Sequence, residues 1–246
     1  MNKTALIIHG WPSPIDPNGP YYKHFREWKY DVISPEIFST DFILTLENVK
    51  KFILKELDGR SPDIIIGTSM GGLIAPHIAK DYPEAKMILI ASAPKLKPKD
   101  RGFKLLIDIA KNKNLLSALN IVKILPRRFL YKFYGLFNPF NGVENKKQAY
   151  MDDMKYNFKY ILSIPISKEG EIVNLITSLD NTELLKTLKN KTLVFLGEND
   201  LLMPQDQGGS LCELLSNSRL ITSHGSHWDV ISEPSFVEMK KFLQNQ

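Results

Sequence analysis

The stretch Ile64-Ile65-Ile66-Gly67-Thr68-Ser69-Met70-Gly71-Gly72 decides how this chain folds. Its β-branched apolar run indicates a buried strand, and a helical pattern follows over 70–80. Between them lies G-x-S-x-G, a sharp turn that lifts the serine hydroxyl above the sheet edge and needs small residues where strand and helix crowd together. The stretch predicts a strand–turn–helix unit with Ser69 as the candidate nucleophile. The alternative is an ordinary Gly-rich turn.

Short apolar runs alternate with amphipathic stretches on both sides of this unit, over 4–92 and again from about 191 to the end. This alternation predicts an α/β fold with a mostly parallel sheet of about six strands and helices on both faces. The predicted strands are 5–8, 30–33, 63–66, 87–90, 193–196 and 219–222. The predicted helices are 44–57, 70–80, 205–215 and 234–243, and 103–125 has the pattern of one or two amphipathic helices. Pro76 should kink or end the helix that follows Ser69, because proline lacks a backbone donor.

A serine hydroxyl is a weak nucleophile near neutral pH, so the hypothesis requires a base and a group that orients it. Gly197-Glu198-Asn199-Asp200 follows a predicted strand and places carboxylates where sites form in open parallel sheets. We favour Asp200 over Glu198 and Asp206, although an aspartate after a strand is also a common turn residue. His224 and His227 follow the last predicted strand, and both are candidate bases.

Together these motifs resemble the α/β-hydrolase family over residues 1–94 and about 177–246. The matching residues are His9-Gly10-Trp11, Gly67 to Gly72, Gly197 to Asp200 with Pro204, and Gly225-Ser226-His227 with Glu233-Pro234. The first predicted strand begins almost at Met1, so we do not expect the antiparallel strands that often precede it in this family. We therefore expect a minimal six-stranded sheet, as an α/β-hydrolase core formed by 1–94 and 177–246.

The resemblance implies a role for each matched residue. Ser69 would be the nucleophile, Asp200 the orienting acid and His227 the base, since only His227 has the family's spacing to Glu233-Pro234. The backbone N–H groups of Trp11 and Met70 would form the oxyanion hole. His9 would shape the loop that carries Trp11.

The middle segment, 95–176, stands where this family carries a helical cap. Residues 95–165 hold 15 Lys and Arg against 5 Asp and Glu, while the whole chain carries a net charge of +5. A solvated cationic surface is the default interpretation; the sharper hypothesis is that the cap attracts an anionic substrate, such as a coenzyme A thioester, a phospholipid or a carboxylate-bearing ester. An aromatic stretch in this segment is the candidate lining of an acyl pocket, with ordinary cap packing as the alternative. Its residues are Phe129, Tyr131, Phe133, Tyr134, Phe137 and Phe140.

Composition and spacing exclude several function classes. The chain has one cysteine, and its five histidines show no metal-ligand spacing, so we expect no metal. A nucleophile with its base and orienting acid needs no organic cofactor, and we expect none. His24 and His77 have the pattern of ordinary surface histidines. The basic residues form no recognised nucleic-acid motif, and the first apolar run is too short for a signal peptide or a membrane span. A cytoplasmic protein without nucleic-acid or integral membrane partners is expected, of unknown oligomeric state.

The predicted function is a serine hydrolase that cleaves carboxylic esters of small molecules through an acyl-enzyme intermediate. Thioesterase, peptidase and carbon–carbon bond hydrolase activities use the same residues, and fold alone does not choose between them. A ligand-binding protein that keeps the fold without catalysis is the alternative from another class.

Overall fold

The structure, a computed structural model, describes residues 3–12, 14–97, 101–112, 126, 129, 156–157, 159–160, 162–200, 202–227 and 229–244. Six parallel strands form one sheet in the order β2-β1-β3-β4-β5-β6. The strands are β1 (Lys3–Ile8), β2 (Tyr30–Ile33), β3 (Ile64–Thr68), β4 (Lys86–Ile90), β5 (Thr192–Gly197) and β6 (Ser218–Ser223). All six predicted strands are present, with ends that differ by at most two residues.

Eight α-helices lie in the described part of the chain. They are α1 (Pro20–Glu27), α2 (Leu46–Leu57), α3 (Met70–Ala79), α4 (Arg101–Lys111), α5 (Ile166–Ser178), α6 (Thr182–Thr187), α7 (Gln205–Leu214) and α8 (Glu233–Gln244). A short 3-10 helix spans Ile37–Ser39. Helix α4 overlaps the start of the predicted helical stretch 103–125, the rest of which, from 113, lies outside the described residues. The helices α1, α5 and α6 were not predicted. None of the described helices is both long and apolar enough to cross a membrane.

Helices cover both faces of the sheet because the strand residues alternate in direction. Leu6 and Ile8 of β1 pack into one apolar cluster, which includes residues of α2, α3, α5 and α7. Ala5 and Ile7 pack into the other, together with Phe25 of α1 and residues of α8. Because both faces of the inner strands are covered, these strands must be apolar along nearly their whole length. Since all strands are parallel, the loops that follow them lie at the same edge of the sheet.

Helix α3 does not end at Pro76 but continues to Ala79. The side-chain amide of Asn181 donates a hydrogen bond of 2.7 Å to the carbonyl oxygen of Leu73, one turn before the proline. A side chain from a distant segment thus supplies a donor beside the place where proline removes one.

The two ends of the predicted cap lie side by side. The backbone N–H of Asn181 donates to the carbonyl oxygen of Pro94 at 2.9 Å, and Lys95 forms an ion pair of 2.6 Å with Asp180. An inserted segment requires such adjacent ends. The division into a core of 1–94 and 177–246 and a cap of 95–176 stays a prediction, because most of 113–161 lies outside the described residues.

Candidate active site

The turn between β3 and α3 holds Ser69 in a strained backbone conformation. Its φ of 52° and ψ of −113° are uncommon for a residue with a side chain. The turn can close only because its glycines lack a Cβ atom. A Cβ on Gly67 would lie 2.5 Å from the carbonyl oxygen of Gly71, and a Cβ on Gly71 would overlap the carbonyl oxygen of Ile8. The two glycines of G-x-S-x-G are therefore required by close packing of β3, α3 and β1.

Ser69, His227 and Asp200 form a continuous chain of hydrogen bonds. The distance from Ser69 Oγ to His227 Nε2 is 2.8 Å, and that from His227 Nδ1 to Asp200 Oδ2 is 2.7 Å. The carboxylate accepts only, so Nδ1 carries the proton and Nε2 accepts from the serine hydroxyl. Both partners are buried, with 6% of the His227 side chain and 0% of the Asp200 side chain exposed. This arrangement can withdraw a proton from Ser69.

Backbone groups hold the Asp200 carboxylate in position. Its Oδ1 accepts from the backbone N–H of Leu202 at 2.9 Å and from that of Met203 at 2.8 Å. With Oδ2 on the histidine, both carboxylate oxygens are engaged. The loop after β5 therefore fixes the plane of the carboxylate and keeps one oxygen directed at His227.

The loop that carries His227 is closed by Asp229, a residue that the sequence reasoning missed. Asp229 Oδ1 accepts from the backbone N–H of Ser226 at 2.5 Å and from its hydroxyl at 2.7 Å. The sequence signal that could have identified Asp229 is the Ser-x-x-Asp spacing beside the candidate base, because such pairs are common in turns. A Cβ on Gly197 would lie 2.5 Å from the carbonyl oxygen of Gly225, so the loops after β5 and β6 also approach closely.

His9 is fully buried under the loop that follows β1. Its Nδ1 lies 2.7 Å from the carbonyl oxygen of Gly10, and its Nε2 accepts from the backbone N–H of Ile37 at 3.1 Å. Burial lowers the pKa of His9 to about 4, so the ring is neutral. It therefore braces the loop bearing Trp11.

The two predicted oxyanion donors flank the nucleophile. Met70 is the first residue of α3, and the first N–H groups of a helix have no partner within it. Trp11 follows Gly10, whose Cα lies so close to Ser69 that a Cβ there would be 3.2 Å from the serine Cβ. Both residues also line the cavity at Ser69.

The other histidines lie elsewhere. His224 pairs with Glu198 at 2.5 Å, and 95% of its side chain is exposed. His77 contacts the Asn181 amide oxygen at 2.7 Å. His24 stacks on Phe236 and pairs with Glu233 at 3.2 Å, and it is mostly buried rather than at the surface as expected.

The cavity beside Ser69 is lined mainly by apolar side chains. Its lining residues are Trp11, Ser69, Met70, Leu73, Leu96, Ile176, Leu202, Met203 and His227. Leu96, Ile176 and the adjacent pair Leu202-Met203 come from three separate segments, and no motif marked them. Phe129 is not among these residues, and 51% of its surface is exposed. The other aromatic residues of the predicted pocket lie outside the described residues: Tyr131, Phe133, Tyr134, Phe137 and Phe140. The aromatic acyl pocket stays a prediction.

Within the described residues, no group of three histidine, cysteine or acidic side chains is placed to hold a metal ion. The hydrogen bonds that join Ser69, His227 and Asp200 offer nucleophilic and acid–base chemistry.

Comparison with curated proteins finds two hydrolases of similar length. A 2-hydroxy-6-oxo-6-phenylhexa-2,4-dienoate hydrolase of Comamonas testosteroni is 26% identical over 92% of this chain and 82% of its own. A pimeloyl-[acyl-carrier protein] methyl ester esterase of Vibrio campbellii is 23% identical over 93% of this chain and 89% of its own. The relatives thus include both a carbon–carbon bond hydrolase and an ester hydrolase.

Solved structures share the fold. A thermophilic esterase from Thermogutta terrifontis superposes with a TM-score of 0.70 and 19% identity, covering 98% of this chain and 89% of that one. An enol-lactonase from Burkholderia xenovorans gives a TM-score of 0.71 and 14% identity, covering 100% and 92%. The family described as the alpha/beta hydrolase fold matches residues 6–234. The chain is therefore a member of the α/β-hydrolase family.

Proposed function

We propose that this protein is a serine hydrolase that cleaves carboxylic esters, with Ser69 as nucleophile, His227 as general base and acid, and Asp200 as the group that orients it. The observation that carries the proposal is the hydrogen-bonded chain from Ser69 Oγ to Asp200, with distances of 2.8 and 2.7 Å. Three loops that are distant in sequence supply these side chains, and each follows a strand of the same sheet.

Acylation begins when Ser69 Oγ attacks the ester carbonyl carbon and its proton moves to His227 Nε2. Asp200 stabilises the imidazolium that forms. The carbonyl oxygen becomes an oxyanion, and the N–H groups of Met70 and Trp11 are the proposed donors to it. Collapse of this intermediate breaks the bond to the alcohol oxygen, which takes the proton from His227 and leaves.

Deacylation reverses the roles with water as nucleophile. His227 takes a proton from water, the hydroxide adds to the acyl carbon, and the bond to Ser69 Oγ breaks as that oxygen regains its proton. The acid is released and the enzyme is restored. No cofactor enters either half-reaction.

The apolar cavity supports an ester with an uncharged, apolar group next to the scissile bond. Described lining residues such as Leu73, Ile176 and Met203 carry no charge. An anionic group on the substrate would therefore lie away from this lining, and the hypothesis from the sequence is that the basic residues of 95–165 attract it. Salt tests this idea: added salt should slow turnover of an anionic ester more than that of its neutral analogue, and equal slowing rules out electrostatic attraction.

Carbon–carbon bond hydrolysis is the second candidate, because the Comamonas testosteroni relative is a hydrolase of that type at 26% identity. Turnover of 2-hydroxy-6-oxo-6-phenylhexa-2,4-dienoate should be compared with that of p-nitrophenyl esters of increasing acyl length. Thioesters and amides in the same panel test thioesterase and peptidase activity. Ester turnover that exceeds dienoate turnover supports the proposal, and the reverse order supports the alternative.

A fluorophosphonate separates an enzyme from a ligand-binding protein of the same fold. We expect one equivalent to label the wild type and none to label Ser69→Ala, because the reagent reacts with activated serines. Ser92→Ala is the matched control, since Ser92 is fully buried and lies beside Gly72, next to the turn. A folded wild type that is not labelled would contradict the proposed function.

A further inference from the structure

A carboxylate on α5 holds the indole of Trp11. Trp11 Nε1 donates a hydrogen bond of 2.6 Å to Glu169 Oε2, and the two residues are 158 positions apart. Hydrogen bonds to an ionised acceptor are shorter and stronger than those between neutral groups. The loop after β1 is therefore attached on one side to His9, inside the core, and on the other to α5.

Helix α5 is itself held against the core beside Glu169. Lys168, buried with 8% exposure, donates to the carbonyl oxygen of Phe42 and to Glu171 at 3.0 Å. Glu171 also accepts from the backbone N–H of Leu44 at 2.9 Å. These bonds attach α5, on both sides of Glu169, to the segment of Phe42 and Leu44.

The same helix reaches the cavity. Ile176, two turns after Glu169, lines the space beside Ser69 together with Trp11. Helix α5 thus contacts the cavity at one end and the loop of a proposed oxyanion donor at the other. A displacement of α5 would move both the lining and the donor.

We propose that Glu169 is a positioning residue of the oxyanion hole: by holding the Trp11 indole, it keeps the Trp11 backbone N–H directed at the developing oxyanion. This inference rests on the proposed function. Removing an oxyanion donor costs about 10²–10³ in kcat, and a misplacement of about 1 Å costs about 10²-fold. Loss of the brace should therefore lower kcat by about ten- to hundredfold, while KM changes by less than about threefold, because the donor acts mainly on the transition state.

The test compares Glu169→Ala, Glu169→Gln and Trp11→Phe with wild type, using kcat for the best ester of the panel and the rate of fluorophosphonate labelling. Each rate is divided by the amount of protein that the fluorophosphonate labels, so that a smaller amount of folded protein does not appear as a lower rate. Glu169→Gln keeps an acceptor oxygen and should recover most of the loss seen in Glu169→Ala. Glu183→Ala removes an exposed carboxylate of α6 and is the charge control.

The double variant Glu169→Ala with Trp11→Phe should be no slower than the slower single variant, because both remove the same bond. The wild-type Trp11 indole proton resonance should move in Glu169→Ala, a readout that needs no activity. A kcat per site within twofold of wild type in both Glu169 variants would overturn the inference, as would additive losses in the double variant. An unlabelled wild type would refute the proposed function itself, and the inference with it.

Discussion

Replacing Asp200 by asparagine tests the proposed proton path through His227. The Asp200 Oδ1 atom accepts from the backbone N–H groups of Leu202 and Met203. An asparagine must keep its oxygen there, because its NH₂ group would face two donors if the amide were flipped. The NH₂ group then faces His227 Nδ1 and donates to it. This moves the imidazole proton to Nε2, which can no longer accept from Ser69.

The expected loss is about 10⁴-fold in kcat, or about 5 kcal/mol of transition-state stabilisation, as for the wrong histidine tautomer in a serine protease triad. Stability should change little, since the two backbone donors keep their acceptor. Asp200→Ala should lose as much activity and also stability, because each buried N–H left unpaired costs about 1–3 kcal/mol. The comparison therefore separates the proton path from the folding role of the carboxylate.

Ester turnover and fluorophosphonate labelling measure the first effect, and urea unfolding measures the second. Glu198→Gln is the control, because Glu198 pairs with the exposed His224 and not with His227. An Asp200→Asn variant that keeps more than a tenth of wild-type kcat would refute the reasoning. So would a loss of stability equal to that of Asp200→Ala.

Three further predictions follow from named contacts. His227→Ala should abolish ester turnover, whereas His224→Ala should keep the turnover rate within about twofold of wild type, since His224 is at the surface. Steady-state kinetics measure both rates, and the opposite result would make His224 the base. The pKa of His9 falls to about 4 on folding, so its contribution to stability is complete above the unfolded pKa of about 6.5 and is lost as the pH falls towards 4. Urea unfolding at about pH 5 should show a loss of about 2 kcal/mol that is absent in His9→Gln, and an unchanged pH dependence in that variant would contradict this. Gly71→Ala should unfold the turn, whereas Gly209→Ala on α7, with open space around it, should stabilise the protein by about 0.5–1 kcal/mol in thermal unfolding; equal effects would refute the packing argument.

Local patterns predicted most of the sheet because strand formation follows from runs of apolar residues. The run before Gly67 and the one before Gly197 both became central strands within two residues of the expected ends. Helix α1 was missed because a long-range contact, and not a local pattern, covers it. Helix α1 begins at Pro20 and is covered by Phe236 of α8, so its stability depends on a contact more than two hundred residues away.

The amino-acid sequence alone determined the strand–turn–helix unit at Ser69 and the order in which Ser69, Asp200 and His227 occur along the chain. The first is a property of one short segment, and the second needs only the positions of three short motifs along the chain. The spacing to Glu233-Pro234 favoured His227 over His224, and the tertiary structure places His227 against Ser69. Only the tertiary structure revealed that backbone N–H groups orient Asp200 and that Glu169 holds Trp11. The physical reason is that these contacts form where separate loops meet at one edge of the sheet, and no spacing within a single segment encodes such a meeting.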